Sequence, residues 1–229
     1  MTRTFAKGSP LYEIEVMMTS VPNFKPRTSG TYIYKKMKDA EAGKCIYCAD
    51  RKKKAGCKHD ICPYILERVE LGTLDYGESL KEIYSNIKNR KFNKRLDKLT
   101  SNFDGNMFIN EEHRYRFEGI IRETRKLYGK PNNRYITAIY LLSTTSDLWN
   151  MVSGHMNRKE IDFSKVQLKN MNPDTYAYYQ TAKTIYTGAS SIEFGEIIDE
   201  EVIPDEVFKI ITHASLIRLY GKDILSAYH

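Results

Sequence analysis

Apolar and polar residues alternate in two short stretches near the start of the chain. The first covers residues 11–16, where Tyr12, Ile14 and Val16 alternate with glutamates, and the second covers residues 31–35. Alternation with a period of two is typical of strands that bury one face. We therefore predict a small β element at the N-terminus, with a loop rich in turn-forming residues between its two strands.

After residue 60 the apolar residues recur at intervals of three and four, which predicts helices. Pro63 suits the first position of a short helix, because the N–H group that proline lacks would be unpaired there. A second helix begins near Leu80 and continues into the basic run of residues 89–98. Asn110 is a predicted N-cap, and the helix that it starts is expected to end at Gly129.

The rest of the chain predicts further helices and therefore a helical bundle. A long, largely buried helix over residues 136–152 carries the single tryptophan. Five polar residues, 143–147, interrupt it, and we expect them to bond back to the helix backbone or to mark a bend. Pro173 begins the next helix and Pro204 the last one.

The charge is distributed unevenly along the 229 residues, a length that suits one large domain or two small ones. The formal net charge is +7. Residues 1–106 hold 21 basic and 13 acidic side chains, whereas residues 107–229 hold 15 and 16. We therefore predict a basic N-terminal region, 1–106, followed by a helical bundle domain, 107–229. The predicted fold class is mainly α, with a small β contribution (α+β).

All four cysteines lie within a window of 18 residues, in a C-x2-C-x8-C-x4-C arrangement. Two pairs of thiolates at this spacing can hold one Zn²⁺ tetrahedrally, and intracellular proteins rarely use disulfides. A structural zinc knuckle is therefore predicted; an iron–sulfur cluster, or cysteines that are free or disulfide-linked, are the alternatives. His59 lies between the last two cysteines and is an alternative ligand. The predicted zinc ligands are Cys45, Cys48, Cys57 and Cys62.

Residues 25–58 carry eleven basic side chains against three acidic ones, with aromatic residues between them. Phosphate neutralisation combined with base stacking is what binding to single-stranded nucleic acid requires. In the alternative interpretation the tyrosines pack under the zinc loop and the lysines are solvated. The basic residues of 88–98 either extend this surface or form an ordinary charged helix face. The predicted nucleic-acid-binding residues are Lys25, Arg27, Tyr32, Tyr34, Lys35, Lys36, Lys38, Arg51, Lys52, Lys53, Lys54 and Lys58.

The sequence contains no motif of the common catalytic classes, such as a phosphate-binding loop or a nucleophile elbow. The histidines are widely separated, and His113, at a helix start, is expected to be a surface or capping group. The acidic run of residues 199–206 is expected to be solvated or to face a basic partner. An enzyme is therefore the less favoured class, because only convergence of scattered residues in the fold would build an active site.

Two stretches resemble proteins of phages and conjugative elements from Gram-positive bacteria. One is the cysteine block KCIYCADRKKKAGCKHDICPYILERVELG, and the other is FINEEHRYRFEGII with the downstream YLLSTTSDLWN. The resemblance covers about half of the chain and implies no catalytic residues. It implies a mobile-element context, in which small proteins such as anti-CRISPR proteins often antagonise host defences.

The leading hypothesis is a non-enzymatic anti-defence protein that binds a CRISPR effector, or its guide RNA, through the basic N-terminal region. The alternatives are a dimeric DNA-binding regulator of the element and an RNA- or DNA-processing enzyme. In the anti-defence and regulator hypotheses, the C-terminal bundle supplies protein contacts or a homodimer interface. Because the sequence lacks a secretory signal and a membrane span, which needs roughly 18 to 20 apolar residues, we expect a cytoplasmic protein without membrane contact.

Overall fold

The chain divides into two compact units, residues 1–60 and 61–229. The computed structural model describes residues 8–9, 12–19, 65–70, 74–157, 160–168 and 171–228. In the first unit the described residues form one helix, α1 (Tyr12–Thr19). The predicted strand over residues 11–16 is therefore wrong, whereas the predicted strand over residues 31–35 lies outside the described residues. Glutamate and methionine favour helices, and the side chains of Tyr12, Ile14 and Val16 are all exposed, so their alternation does not reflect a buried face.

The described residues of the second unit are mainly helical, as predicted, with one isolated antiparallel bridge between Met156 and Ile161. None of the helices in the described ranges is long and apolar enough to cross a membrane. A short 3₁₀ helix, Lys222–Ser226, follows the last α-helix. The α-helices are, in chain order, α2 (Ile65–Glu70), α3 (Tyr76–Ile83), α4 (Arg90–Ser101), α5 (Glu111–Tyr128), α6 (Asn133–Leu142), α7 (Ser146–Ser153), α8 (Pro173–Thr187), α9 (Phe194–Ile198) and α10 (Asp205–Tyr220).

Helix α6 lies at the centre of this unit. Every residue from Tyr135 to Leu142 is buried, and the helix packs against α5, α7, α8 and α10. A helix that is enclosed on all sides needs no polar face, which explains why the sequence YITAIYLL lacks charged residues. Helices α8 and α10 also bury residues on all sides, whereas α5 buries a single stripe.

Several predicted helix ends are confirmed by their caps. The Asn110 side chain accepts a hydrogen bond from the His113 N–H at 2.8 Å, and α5 ends at Gly129. Helix α8 begins with Pro173 and ends at Gly188, and α10 begins directly after Pro204. These positions were predictable because caps depend on local chemistry.

The predicted long helix over residues 136–152 is wrong, because the chain breaks between α6 and α7. The hydroxyls of Ser143 and Thr144 donate to the carbonyls of Tyr140 and Leu141, at 3.1 and 2.8 Å. Thr145 then caps α7, and its side chain accepts from the Leu148 N–H at 3.2 Å. The expectation that these polar residues bond back to the backbone is confirmed. The predicted second helix is likewise divided, into α3 and α4.

The predicted boundary near residues 100–106 falls inside the second unit. Tyr76 of α3 stacks on Phe103 with ring centroids 3.6 Å apart, and its hydroxyl contacts His213 of α10. Helix α4 also packs against α9 and α10. The change of charge along the sequence therefore does not coincide with a break in packing.

Candidate functional site

The residues predicted to bind zinc and nucleic acid lie outside the described residues. This holds for all four cysteines and for the whole set from Lys25 to Lys58. Within the described ranges, His, Cys, Asp and Glu side chains form no group of three or more that could hold a metal ion. The zinc knuckle and the N-terminal basic surface therefore stay predictions from the sequence.

Arg95, in the basic run of residues 88–98, is a buried structural residue and does not belong to a binding surface. Its guanidinium donates to the carbonyls of Ile197 and Ile203 at 3.0 and 2.7 Å, and to Asp205 at 3.1 Å. It also lies 4.3 Å from the centre of the Phe208 ring. Arg95 thus fastens α4 to α9 and α10.

Asp205 also pairs with Lys98, and these hydrogen bonds lower the pKa of the Asp205 carboxyl. One member of the acidic run of residues 199–206 therefore faces a basic partner within its own chain. Of the basic run, Arg90, Lys91 and Lys94 are exposed and remain accessible to a ligand.

His213 lies fully buried in the core between α3 and α10. Its Nδ1 donates to the carbonyl of Met107 at 3.2 Å, and its Nε2 accepts from the Tyr76 hydroxyl at 2.8 Å. Burial lowers the pKa of His213 to about 3. The His213 ring is therefore neutral, both of its nitrogens are hydrogen-bonded, and it does not contact solvent. It stabilises the core and is not accessible to a substrate.

His113 is also fully buried, so the expectation that it lies at the surface is wrong, whereas its contact with the backbone N–H that precedes the helix is that of a capping group. Its Nε2 donates to the Tyr140 carbonyl at 2.8 Å, and its Nδ1 accepts from the Ile109 N–H at 3.3 Å. Burial lowers its pKa to about 4. The helix start that the sequence predicted is correct, but the side chain turns inward against Phe108 and Tyr140.

A groove with a volume of about 360 Å³ lies at the surface of the second unit, between α5 and the C-terminal 3₁₀ helix. We call it the α5 groove. Its floor is apolar, formed by side chains such as Met107, Phe117 and Leu225. Its rim is charged and mostly basic, formed by Arg114, Glu118, Arg122, Arg125 and Lys222.

Two features of the sequence place these side chains around one groove. The apolar stripe of α5, which includes Phe117 and Ile121, is buried, so the polar face that carries the arginines is left at the surface. At the end of α10, Gly221 has a φ of +83°, a conformation that favours glycine. This turn starts the 3₁₀ helix and brings Lys222 to the groove opposite α5.

The rim has more positive charge than its own carboxylates neutralise. Arg114 pairs with Glu118 at 3.0 Å, and Lys222 pairs with Asp223 at 3.1 Å. In the part of the chain that the structure describes, no carboxylate forms an ion pair with Arg122 or Arg125, and both are exposed. As far as the described residues are concerned, two arginines at the mouth of the groove thus remain available to an external anion.

A second, smaller cavity of about 190 Å³ continues the groove toward the end of α5. It shares Ile121, Arg125 and Lys222 with the first cavity and adds Lys130. Basic residues near a helix C-terminus also interact favourably with the helix dipole, which would account for Arg125 alone. Arg122 lies further from the terminus and Lys130 lies beyond it, so the dipole does not explain the set.

The sequence did not single out this surface because residues 107–229 are almost balanced in charge. The signal that was available is the spacing of Arg114, Arg122 and Arg125, which places the three arginines on related faces of one predicted helix. Lys222 is distant along the chain, and only the turn at Gly221 brings it to the same groove.

In comparisons with protein-family models, curated proteins and solved structures, nothing matches this chain.

Proposed function

We propose that this protein binds nucleic acid, without cleaving it, and holds backbone phosphates in the α5 groove. The observation that carries the proposal is the pair Arg122 and Arg125, which stand exposed at one groove with no carboxylate partner among the described residues. Arginine presents a planar fork of donors that matches phosphate oxygens. A ligand with repeated phosphates would satisfy both guanidinium groups at once.

The other properties of the groove are those of a binding site. Its apolar floor, with Phe117 and Leu225, suits a sugar or a base edge, and the rim supplies the charge. The two core histidines are enclosed and hydrogen-bonded, so they are not positioned as a general acid and base for hydrolysis. Binding without chemistry is therefore the function that this geometry supports best.

The basic segment of residues 25–58 provides independent support from the sequence. Two basic regions on one chain can bind the same nucleic acid more tightly than either does alone, because the second contact forms at high effective concentration. The resemblance to mobile-element proteins favours an RNA in a defence complex as the natural ligand, for instance the guide RNA of a CRISPR effector. We propose this anti-defence role as the biological setting of the binding activity.

Changing Arg122→Gln and Arg125→Gln together is expected to weaken binding to a single-stranded RNA about 10- to 100-fold at moderate salt. The double variant neutralises two fewer phosphates, so fewer counterions are released when it binds. The slope of log affinity against log salt concentration should therefore become shallower by about 1.5. Fluorescence anisotropy with a labelled oligonucleotide, titrated at four or more salt concentrations, measures both quantities.

The matched control changes Lys91→Gln and Lys94→Gln, which removes the same charge from an exposed face of α4. If the α5 groove binds the phosphates, this control keeps most of the affinity. Equal losses in both double variants would show that net charge alone drives binding, and that result would contradict the groove proposal.

We also propose that the N-terminal region depends on a structural zinc ion. The purified, reduced protein is expected to contain one Zn²⁺ per chain, and Cys48→Ser or Cys57→Ser should release it and destabilise the N-terminal unit. Elemental analysis measures the metal, and limited proteolysis measures the stability of residues 1–60. The control is Ser20→Ala, which removes a hydroxyl outside the cysteine window. Undegraded wild-type protein without zinc would refute the proposal.

A further inference from the structure

We infer that Tyr115 and Gly119 form a base-stacking surface beside the α5 groove and direct the groove toward single-stranded nucleic acid. This inference rests on the proposed function and specifies the class of ligand. It is supported by the exposure of Tyr115, by the lack of described atoms around Gly119, and by the position of both residues next to Arg122 on α5.

Tyr115 is unusual among the aromatic residues of the described chain, because 73% of it is exposed. Most other rings in the second unit pack into the core; Tyr76 and Tyr140, for example, are buried. An exposed ring contributes little to the stability of the fold. Its flat face is, however, suited to a nucleobase, because base–aromatic stacking requires no particular base identity.

Gly119 lies in the middle of α5, where glycine is the least favourable residue apart from proline. Glycine is often needed in a helix where a neighbouring element approaches closely, but that is not the reason here. A Cβ atom added at Gly119 would meet no heavy atom of the described residues within 4 Å. No packing contact within the described ranges requires this glycine, which leaves a low, flat patch on the helix surface.

The two residues are four positions apart, so they lie one above the other on the same face of the helix. A base stacked on the Tyr115 ring could extend over Gly119, where any larger side chain would obstruct it. Only unpaired bases are available for such stacking, since the bases of a duplex are covered by their neighbours.

The charges along α5 favour one side of the stacked base for its phosphate. Arg122 follows Gly119 by three residues and lines the groove, whereas Glu111 precedes Tyr115 by four residues at the start of the helix. Helical side chains tilt toward the N-terminus, so Arg122 leans toward the glycine. On the side of the groove the Glu118 carboxylate is paired with Arg114, so Arg122 attracts the phosphate of the stacked nucleotide there, whereas Glu111 repels it at the start of the helix.

The test compares binding of a single-stranded RNA and of a duplex of the same sequence to the full-length protein. Tyr115→Ala is expected to weaken single-strand binding about tenfold and to leave duplex binding unchanged, whereas Tyr115→Phe keeps the affinity because it keeps the ring. Gly119→Ala is expected to raise the Tm by about 2 °C and yet to weaken single-strand binding about threefold or more.

The control is Gly195→Ala in α9, another glycine where an added Cβ meets no described atom within 4 Å. This variant should leave both affinities unchanged. The stacking surface would be overturned if Tyr115→Ala and Gly119→Ala both bind the single strand with wild-type affinity. If the Arg122 and Arg125 double variant still loses single-strand binding in the same experiment, the proposed function stands. A wild-type protein that binds neither RNA would overturn both.

Discussion

Between pH 6.5 and pH 4.5, the free energy of unfolding of the second unit is expected to fall by about 5 kcal/mol. The cause is the pair of core histidines, His113 and His213, whose pKa values are lowered by burial to about 4 and about 3. In the unfolded chain a histidine takes up a proton near pH 6.5. Each unit of pH below that value therefore favours the unfolded state by about 1.4 kcal/mol for each histidine.

The direction follows from the burial of the two rings, which disfavours their charged form. The folded pKa values are lower than the unfolded ones, so the stability is fully present above pH 6.5 and is lost as the pH falls toward 4 and then 3. Nδ1 of His113 accepts a hydrogen bond from the Ile109 N–H. Protonation would place a hydrogen on Nδ1, so that two N–H donors would face each other and the hydrogen bond would be lost. Carboxylates with lowered pKa values, such as Asp162 and Asp205, add to the loss only below about pH 4.

Urea unfolding at a series of pH values, followed by the fluorescence of Trp149 in α7, measures this dependence. Glutamine can replace either ring as a hydrogen-bonding group and does not titrate. His113→Gln and His213→Gln are therefore each expected to remove about half of the pH dependence between 6.5 and 4.5. A wild-type stability that stays constant over this range would contradict the buried, neutral assignment of both histidines.

Arg95→Ala is expected to destabilise the second unit by about 3–5 kcal/mol. The Arg95 side chain is 1% exposed, and its removal leaves the carbonyls of Ile197 and Ile203 without their charged donor. It also leaves a cavity beside the Phe208 ring. The single ammonium group of a lysine cannot replace the planar guanidinium that donates to Ile197, Ile203 and Asp205. Arg95→Lys should therefore also be clearly destabilising.

Lys94→Ala provides the matched control, because Lys94 precedes Arg95 on α4 and is exposed. It should change the free energy of unfolding by no more than about 0.5 kcal/mol. Thermal or urea unfolding measures all three variants. An Arg95→Ala protein as stable as the Lys94→Ala protein would show that Arg95 does not fasten α4 to α9 and α10.

Helix ends are encoded locally in this sequence, whereas the contacts between helices are not. The N-cap at Asn110, the proline that begins α8 and the glycines that end α5 and α8 were predictable, because each depends on chemistry within one turn of helix. The break between α6 and α7 is visible in the sequence as a polar run, but such a run fits a bend in one helix as well as the end of a helix. The alternation at Tyr12 was misleading, because six residues are too few to separate a strand from a short helix.

The burial of charged and titratable residues could not be predicted in the same way. Arg95 and His113 look like surface residues in the sequence, and their partners Ile203 and Tyr140 are distant along the chain. The α5 groove depends on the same kind of long-range contact, since Lys222 joins it through the turn at Gly221. The density of basic residues located the charge in residues 25–58, but it did not reveal Arg122 and Arg125 of α5, which lack a carboxylate partner within the described ranges.

Photo-crosslinking tests the central proposal, binding of nucleic acid in the α5 groove, most directly. A single-stranded RNA that carries photoreactive bases would be irradiated with the full-length protein, and the attached peptides would be identified by mass spectrometry. We predict crosslinks within α5, centred on Tyr115 and Arg122, in addition to any in the basic segment of residues 25–58. Crosslinks confined to residues 25–58, with none in α5 or in the 3₁₀ helix, would contradict the proposal.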